Sequence, residues 1–387
     1  MTKMKNAERL DNIAPSGIRK LFSRAQGIPG VISLGIGQPN IPTPKGLIDA
    51  VVKLVENGDN YYSPTPGTKK YRDAVAEQNK RWYNLDYDPD TQILATASGC
   101  EAIYCSLMSF IDPGDEVLLP DPSFLTYPRQ IQLAGGKPVW MKPTDELKID
   151  TSNLQDLVTD RTKAIILNFP SNPTGEIMTA LELKPIIDLA VDNNLILLTD
   201  EVYERCIFTD DKHIRIPALD GTYERTLLLN SYSKTYCIPG WRIGYAAGPK
   251  EMISQMIKMH SFIVANAPSA QQNALGEFIN TKEADDFTNN LKDILKERMD
   301  KIVKGFNSID GFNCRKPEGS FYAFPKVTFH KDYTTAVELS ERIFDKQKVV
   351  LVPGTEFGPS GEGYLRASFG SISMDQIDET IQRLKNL

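Results

Sequence analysis

Short apolar runs alternate with amphipathic helical stretches between about residues 90 and 250 of this 387-residue chain. Each run is rich in Ile, Leu and Val and is bounded by Pro, Gly or Asp, which is typical of buried strands. Because strands that alternate with helices pair in parallel, the pattern predicts an α/β fold in which a large domain is built in three layers around a mostly parallel sheet. The six runs are QILATAS, DEVLLP, KAIILNF, LILLTDE, TLLLNSYS and RIGYAAG.

The chain changes character from about residue 310, where short strands separated by loops lead to a closing helix. This order favours a second, smaller α+β domain. Before it, apolar residues from Phe287 to Ile302 recur at helical spacing and predict a helix long enough to bridge two domains. We therefore predict a large domain at 45–285 and a small domain formed by 1–44 together with 286–387.

Charge and composition exclude several classes of function. A net charge of −6 leaves no basic surface for nucleic acid, and no apolar run approaches the length of a membrane span. The N-terminus lacks the apolar core of a signal peptide, which predicts a cytoplasmic protein. Five scattered cysteines without a CxxC pair and three widely spaced histidines predict neither a disulfide framework nor a metal site. Small molecules are the expected partners.

Polar side chains follow three of the predicted strands at the point where each strand ends. Asn172 follows KAIILNF, Asp200 and Tyr203 follow LILLT, and Ser231 and Lys234 follow TLLLN. Taken singly, such residues are more often helix caps or surface charges. Because ligands of an open parallel sheet bind beyond the carboxyl ends of its strands, the joint placement predicts one crevice lined by an amide, a carboxylate, a phenol and an amine.

A second pattern indicates an anion site. Ser98 and Gly99 stand between a predicted strand and a predicted helix, where free backbone N–H groups and the helix dipole attract negative charge. An ordinary helix cap has the same sequence. The helix from Glu101 to Phe110 carries no Lys or Arg, so no cation for an acidic substrate is assigned there. Arg19 or Lys20 could serve instead, although surface charge is the stronger interpretation of both.

Four ordered segments resemble those of the class I aminotransferases of fold-type I, the pyridoxal-phosphate-dependent family that includes aspartate aminotransferase. They are SYSKTYCIPGWRIGY at 231–245, NFPSNPTG at 168–175, TDEVYE at 199–204 and GYLRASFG at 363–370. The resemblance runs from about Ile32 to the C-terminus. The family often has Gly-Glu-Pro-Asp where this chain has Gly-Gln-Pro-Asn at 37–40, a change that bears on substrate specificity.

The resemblance implies pyridoxal 5′-phosphate (PLP) as cofactor and gives its reactive end three residues. Lys234 would be the Schiff-base lysine and the group that shuttles the substrate proton. Asp200 would pair with the pyridine nitrogen and keep it protonated. Tyr203, assisted by Asn172, would donate a hydrogen bond to the O3′ oxygen of the cofactor.

The resemblance also implies residues for two anions. The cofactor phosphate would be bound by Ser98, Gly99, Cys100, Ser231 and Arg242. Arg366 would clamp the substrate α-carboxylate, helped by Asn172 and the backbone at Gly37. Phe124 corresponds to the aromatic residue that stacks on the cofactor ring, or it is a core residue. Tyr62 resembles the tyrosine that reaches the phosphate of the neighbouring subunit, which implies a homodimer with active sites at the interface; Tyr61 fits that role less well.

The function expected from this resemblance is an aminotransferase that works by a ping-pong mechanism. An L-amino acid, with aspartate first and aromatic amino acids or alanine next, would give its nitrogen to a 2-oxo acid such as 2-oxoglutarate. One alternative is a PLP-dependent lyase or cyclase on the same fold, because it would share nearly every motif. Another is a PLP-sensing regulator, but the ~40 residues before the cofactor domain do not resemble a helix-turn-helix.

Overall fold

A computed structural model describes residues 7–11, 13, 24–25, 27–328 and 334–387. Arg19 and Lys20, the candidate cations near the N-terminus, lie outside the described residues. Within the described part, no helix is both long and apolar enough to cross a membrane.

A seven-stranded sheet forms the centre of the fold. Its strands are β2 (Ile93–Thr96), β3 (Glu116–Pro120), β4 (Lys137–Met141), β5 (Thr162–Asn168), β6 (Ile196–Asp200), β7 (Thr226–Ser231) and β8 (Gly244–Ala247). They lie in the order β2-β8-β7-β6-β5-β3-β4, and every pair is parallel except the two that involve β8. The three-layer, mostly parallel α/β fold predicted from the sequence is therefore confirmed. All six predicted strands are present, and only β4 lacked a prediction.

Helices cover both faces of this sheet. Between residues 27 and 280 the α-helices are α1 (Lys45–Glu56), α2 (Lys69–Tyr83), α3 (Gly99–Phe110), α4 (Thr126–Leu133), α5 (Ala180–Asp192), α6 (Tyr232–Thr235), α7 (Lys250–Ile263) and α8 (Ser269–Phe278). On one face, α3 and α7 pack with the sheet around Ile103, Leu229 and Met256. On the other, α5 packs around Ile165, Leu183 and Leu197. Strands buried on both faces explain the continuous apolar runs in the sequence.

The remaining elements pack around a separate hydrophobic cluster, away from the two that lie beside the sheet. They are β1 (Ile32–Ser33), α9 (Lys282–Phe306), β9 (Phe312–Asn313), β10 (Tyr322–Ala323), β11 (Lys326–Val327), α10 (Ala336–Gln347), β12 (Val349–Val350), β13 (Val352–Pro353), β14 (Leu365–Ser368) and α11 (Met374–Leu384). The strands pair as β1-β12, β9-β11 and β10-β14-β13. Helix α9 contributes Ala284 to the cluster around α2 and α8, and Leu295 to this separate cluster. The domain limits at 44/45 and 285/286 stay a prediction.

Candidate active site

A cavity of about 360 Å³ opens beyond the carboxyl ends of β5, β6 and β7, which are neighbours in the sheet. Most of the residues that the sequence analysis singled out line this one cavity. They are Gly37, Ser98, Gly99, Cys100, Phe124, Asn172, Asp200, Tyr203, Ser231, Lys234, Arg242 and Arg366. The cavity is therefore lined by residues from distant parts of the chain, from the loop at Gly37 to strand β14.

Tyr62 is the predicted site residue that does not line the cavity of its own chain. Its side chain is 89% exposed, and that of the neighbouring Tyr61 is 82% exposed. A tyrosine that serves a neighbouring subunit must point away from its own site, so this position neither supports nor contradicts the role predicted for Tyr62.

Asp200 is the last residue of β6 and lies buried at the floor of the cavity. Tyr127 donates a hydrogen bond of 2.7 Å from its hydroxyl to Asp200 Oδ2, and the backbone N–H of Val202 donates to Oδ1 at 3.3 Å. Burial raises the pKa of the Asp200 carboxyl to about 6, although these two hydrogen bonds lower it. With this pKa most of the carboxylate is ionised at neutral pH, and each of its oxygens has a further lone pair that can accept a hydrogen bond from a ligand cation.

Lys234 lies on α6, a single helical turn that begins directly after β7. The Ser231 hydroxyl caps this turn by accepting a hydrogen bond from the Ser233 N–H. The Lys234 ammonium donates to the carbonyl of Gly37, which connects the sheet to the N-terminal segment. Burial, together with the charges of Arg366 and Arg242, lowers the pKa of Lys234 to about 8. This amine loses its proton far more easily than a surface lysine.

The N-terminus of α3 forms another wall of the cavity. Ser98, immediately before the helix, has a φ of 100°, a left-handed backbone conformation that non-glycine residues rarely adopt. Gly244 packs against this turn so closely that a Cβ there would come within 2.9 Å of the Ser98 carbonyl carbon. Arg242 also has a positive φ, of 55°, and donates to the Pro239 carbonyl at 2.8 Å. Free N–H groups and a guanidinium therefore converge on one end of the cavity.

Arg366, on β14, is 3% exposed and is held by four groups. Its guanidinium donates to Asn172 Oδ1 at 3.0 Å and to the Gly35 carbonyl at 2.6 Å. The guanidinium carbon lies 4.6 Å from the ring centre of Tyr322 and 4.7 Å from that of Phe357. No carboxylate pairs with it among the described residues, and its buried Nε has no hydrogen-bond partner there. This charge is ready for an anionic ligand.

Four polar side chains of the cavity had no role in the sequence analysis: Tyr127, Asn168, Ser233 and Tyr322. Tyr322 shares a hydrogen bond of 2.8 Å with the hydroxyl of Tyr203. It also explains the glycine at position 37, because a Cβ there would come within 2.1 Å of the Tyr322 hydroxyl. The remaining wall is apolar and consists of Ile36, Ile103, Leu125, Val202 and Pro239.

A cluster beside Asp200 combines Glu201, Glu204 and His213, whose ligand atoms lie within 4.8 Å of one another. The three residue types can bind a metal ion. Here Arg215, fully buried, already pairs with both glutamates, at 3.2 Å in the case of Glu201. His213 Nε2 contacts the same oxygen of Glu201, Oε2, at 2.6 Å. A cation thus already compensates the carboxylates, and the network anchors the chain directly after Asp200.

Comparison with known proteins accounts for this arrangement. Residues 29–384 match the family model for aminotransferase class I and II. Aromatic-amino-acid aminotransferase 2 of Thermococcus litoralis is 36% identical over 98% of this chain and 97% of its own length, and aspartate aminotransferase of Pyrococcus abyssi is 36% identical over 99% and 98%. A solved structure described as Pyrococcus protein-A1 superposes with a TM-score of 0.94 at 34% identity and covers 98% of this chain and 97% of its own. This chain therefore belongs to the class I and II aminotransferases, and it is a PLP-dependent enzyme of that family.

Proposed function

We propose that this aminotransferase transfers the amino group of an L-amino acid, aspartate or an aromatic amino acid, to a 2-oxo acid such as 2-oxoglutarate by a ping-pong mechanism. The observation that carries the proposal is that Lys234, Asp200 and Arg366 line a single cavity of about 360 Å³. The donor classes are supported by the names of two relatives, an aromatic-amino-acid and an aspartate aminotransferase.

The cavity fits PLP in its chemistry as well as its size. At one end, the N–H groups of Gly99 and Cys100, the hydroxyls of Ser98 and Ser231 and the guanidinium of Arg242 would bind the phosphate. Asp200 would face the pyridine nitrogen, and Phe124 would lie against the ring. PLP, when bound, supplies an electron sink for the negative charge that develops at the substrate Cα.

Asp200 would keep the pyridine nitrogen protonated, because a buried carboxylate favours a cation beside it. The hydrogen bond from Tyr127 keeps Asp200 ionised for this task. Tyr203, assisted by Asn172, would donate to the phenolic oxygen of the cofactor. What supports this role is that Tyr203 is buried in the cavity and its hydroxyl already takes part in a hydrogen bond with Tyr322.

Lys234 would attach the cofactor covalently and, when substrate has taken that position, would carry the proton between the substrate Cα and the cofactor. A pKa lowered to about 8 supports the role, since a general base works best with a pKa near the working pH. Its hydrogen bond to the Gly37 carbonyl holds the amine on the substrate side of the cavity.

Arg366 would bind the substrate α-carboxylate in a bidentate pair. Its unpartnered buried Nε and its two aromatic neighbours support the role, because they leave the guanidinium charged, oriented and uncompensated. Asn172 and the backbone at Gly37 would assist, and their contacts to Arg366 and Lys234 hold these groups together.

The working form that we propose is a cytoplasmic homodimer with Tyr62 of each chain at the phosphate of its partner. The outward position of Tyr62 is compatible with this arrangement, and three exposed apolar residues on the nearby helix α1 support it: Ile48, Val52 and Val55. Five free cysteines, four of them buried, are typical of a reducing compartment.

The function is tested by mixing the purified protein and PLP with aspartate, phenylalanine, tyrosine or alanine and with 2-oxoglutarate. We expect glutamate to form in step with loss of donor. Release of ammonia and pyruvate without glutamate would instead identify a lyase, the alternative that shares this site. A further test is Lys234→Ala, which we expect to abolish the visible absorbance of the covalently held cofactor. Covalent retention of the cofactor by that variant after borohydride treatment would refute the assignment of Lys234.

A further inference from the structure

Glu101 lies in the first turn of α3, one residue beyond the N–H groups that face the cavity. Its carboxylate does not point at the cavity. One oxygen, Oε2, accepts a hydrogen bond from the backbone N–H of Ala97 at 3.2 Å, and the other, Oε1, lies 3.0 Å from Nδ1 of His260. Glu101 thus connects the chain before the turn to a second helix, α7.

His260 is fully buried on α7. An ionised Glu101 can only accept hydrogen bonds, so the shared hydrogen lies on His260 Nδ1. The second ring nitrogen, Nε2, has no partner among the described residues. Burial of an unpartnered ring nitrogen costs free energy, and within the described part of the chain the contact of the ring to Glu101 is the polar contact that offsets this cost. The pair is therefore built to hold Glu101 in place.

The contact to Ala97 closes the turn around Ser98. This residue has a φ of 100° and makes no side-chain cap for α3, so its strained backbone must be held by its neighbours. Glu101 holds Ala97, the residue before Ser98. Gln130, which donates to the Cys100 carbonyl at 2.9 Å, holds the residues after it. Thr96 Oγ1 and the Ala102 N–H also donate to the Ser98 carbonyl, at 3.0 and 3.1 Å. The contacts of Glu101 and Gln130 add to these in setting the direction of the N–H groups of Gly99 and Cys100.

We propose that Glu101 and His260 are positioning residues that give the turn at residues 97–100 the shape that binds the cofactor phosphate. The inference rests on the proposed function, in which that turn binds the phosphate of PLP. A carboxylate this close to a phosphate would repel it, so its position is explained by its hydrogen bonds to Ala97 and His260 and not by direct binding.

The test separates binding of the phosphate from binding of the rest of the cofactor. The full chain, freed of cofactor, is titrated with PLP and with pyridoxal, which lacks the phosphate. The dissociation constant of pyridoxal divided by that of PLP is the ratio that measures the phosphate contribution. We expect Glu101→Ala to lower that ratio about tenfold, the effect of losing one buried hydrogen bond to the turn. His260→Phe should lower it less, because Glu101 then keeps its contact to Ala97.

Glu101→Gln keeps an acceptor for the Ala97 N–H, so we expect its ratio to lie within about twofold of the wild type. Ser109→Ala, at the far end of α3, is the matched control and should not change the ratio. Thermal unfolding of each variant identifies any that fail to fold. If Glu101→Ala does not fold, Glu101→Gln and His260→Phe are used for the test instead.

Unchanged ratios in Glu101→Ala and His260→Phe would overturn the proposal. Equal weakening of PLP and pyridoxal would also overturn it, since the effect would then not concern the phosphate. A wild-type protein that binds pyridoxal as tightly as PLP would instead refute the proposed phosphate site itself, which keeps the two failures distinguishable.

Discussion

Replacing Tyr127 by phenylalanine tests how the enzyme keeps a buried carboxylate charged. Burial raises the pKa of Asp200 to about 6, and the Tyr127 hydroxyl opposes this rise through a hydrogen bond of 2.7 Å. Such a bond to a charged acceptor contributes about 1.5–3 kcal/mol. Because one pH unit corresponds to about 1.4 kcal/mol, the Tyr127→Phe variant should raise the pKa of Asp200 by about one to two units.

The sign of the pH effect follows from the role of Asp200. In the role proposed for Asp200, only the ionised carboxylate would pair with the pyridine nitrogen of PLP, so cofactor affinity should fall as the pH drops through the pKa of Asp200. In the wild type this loss should occur near pH 6. In Tyr127→Phe it should occur about one to two units higher, so that the variant binds PLP weakly at neutral pH and almost normally at about pH 9.

The assay is the dissociation constant of PLP, measured between about pH 5 and 9 on wild type and variant. Titration of the PLP phosphate, which occurs near pH ~6, affects both proteins equally and cancels in the comparison. Tyr87→Phe is the matched control, because Tyr87 is a buried tyrosine whose hydroxyl has no partner among the described residues. If Tyr127→Phe loses PLP affinity at the same pH as the wild type, the hydrogen bond does not set the charge of Asp200.

Two further predictions concern a buried carboxyl group, that of Glu176, and a closely packed glycine, Gly37. Burial raises the pKa of Glu176 to about 8, so the folded protein holds a proton that the unfolded chain releases above about pH 4. Its contribution to stability is fully present below about pH 4 and is lost as the pH rises through about 8. Glu176→Gln should match the wild type in urea unfolding at pH ~4 and exceed it by about 5 kcal/mol at pH ~9, because each unit of pKa shift corresponds to about 1.4 kcal/mol. An equal response of both proteins to pH would contradict this. Gly37→Ala should displace Tyr322 and lower kcat/KM about 100-fold, whereas Gly240→Ala, where a Cβ meets nothing within 4 Å, should be neutral; similar kinetics for both variants would count against the steric argument.

The sheet could be predicted from the sequence because its strands are buried on both faces. Each such strand reads as an uninterrupted apolar run, and six of the seven were found in this way. The exception, β4, reads Lys-Pro-Val-Trp-Met and lies at the edge of the sheet, where most of its residues are only partly buried. Edge strands tolerate Lys and Pro, so their sequences lack the pattern that identifies a buried strand.

The site residues that follow strands could also be predicted, because position at a strand end and polarity are both visible in the sequence. Tyr127 and Tyr322 could not. Each is a buried aromatic residue and reads as core, and its function depends on a hydroxyl partner far along the chain, 73 positions away for Tyr127 and 119 for Tyr322. Glu101 had no role in the sequence analysis either, since its partner His260 lies 159 positions away.

The antiparallel strand β8 has a consequence for the order in which the site assembles during folding. Because β8 pairs with β7 after a short loop, the Ser231 hydroxyl donates to the Ile243 carbonyl only 12 positions later. Arg366, in contrast, donates to Asn172, which lies 194 positions earlier in the chain. Closing the longer loop costs about 2.5 kcal/mol more conformational entropy than closing the shorter one. The loop that carries Lys234 and Arg242 can therefore form from local contacts alone, and the carboxylate clamp forms only when the C-terminal strands dock. A nascent chain would acquire the means to capture its cofactor before it can bind a substrate.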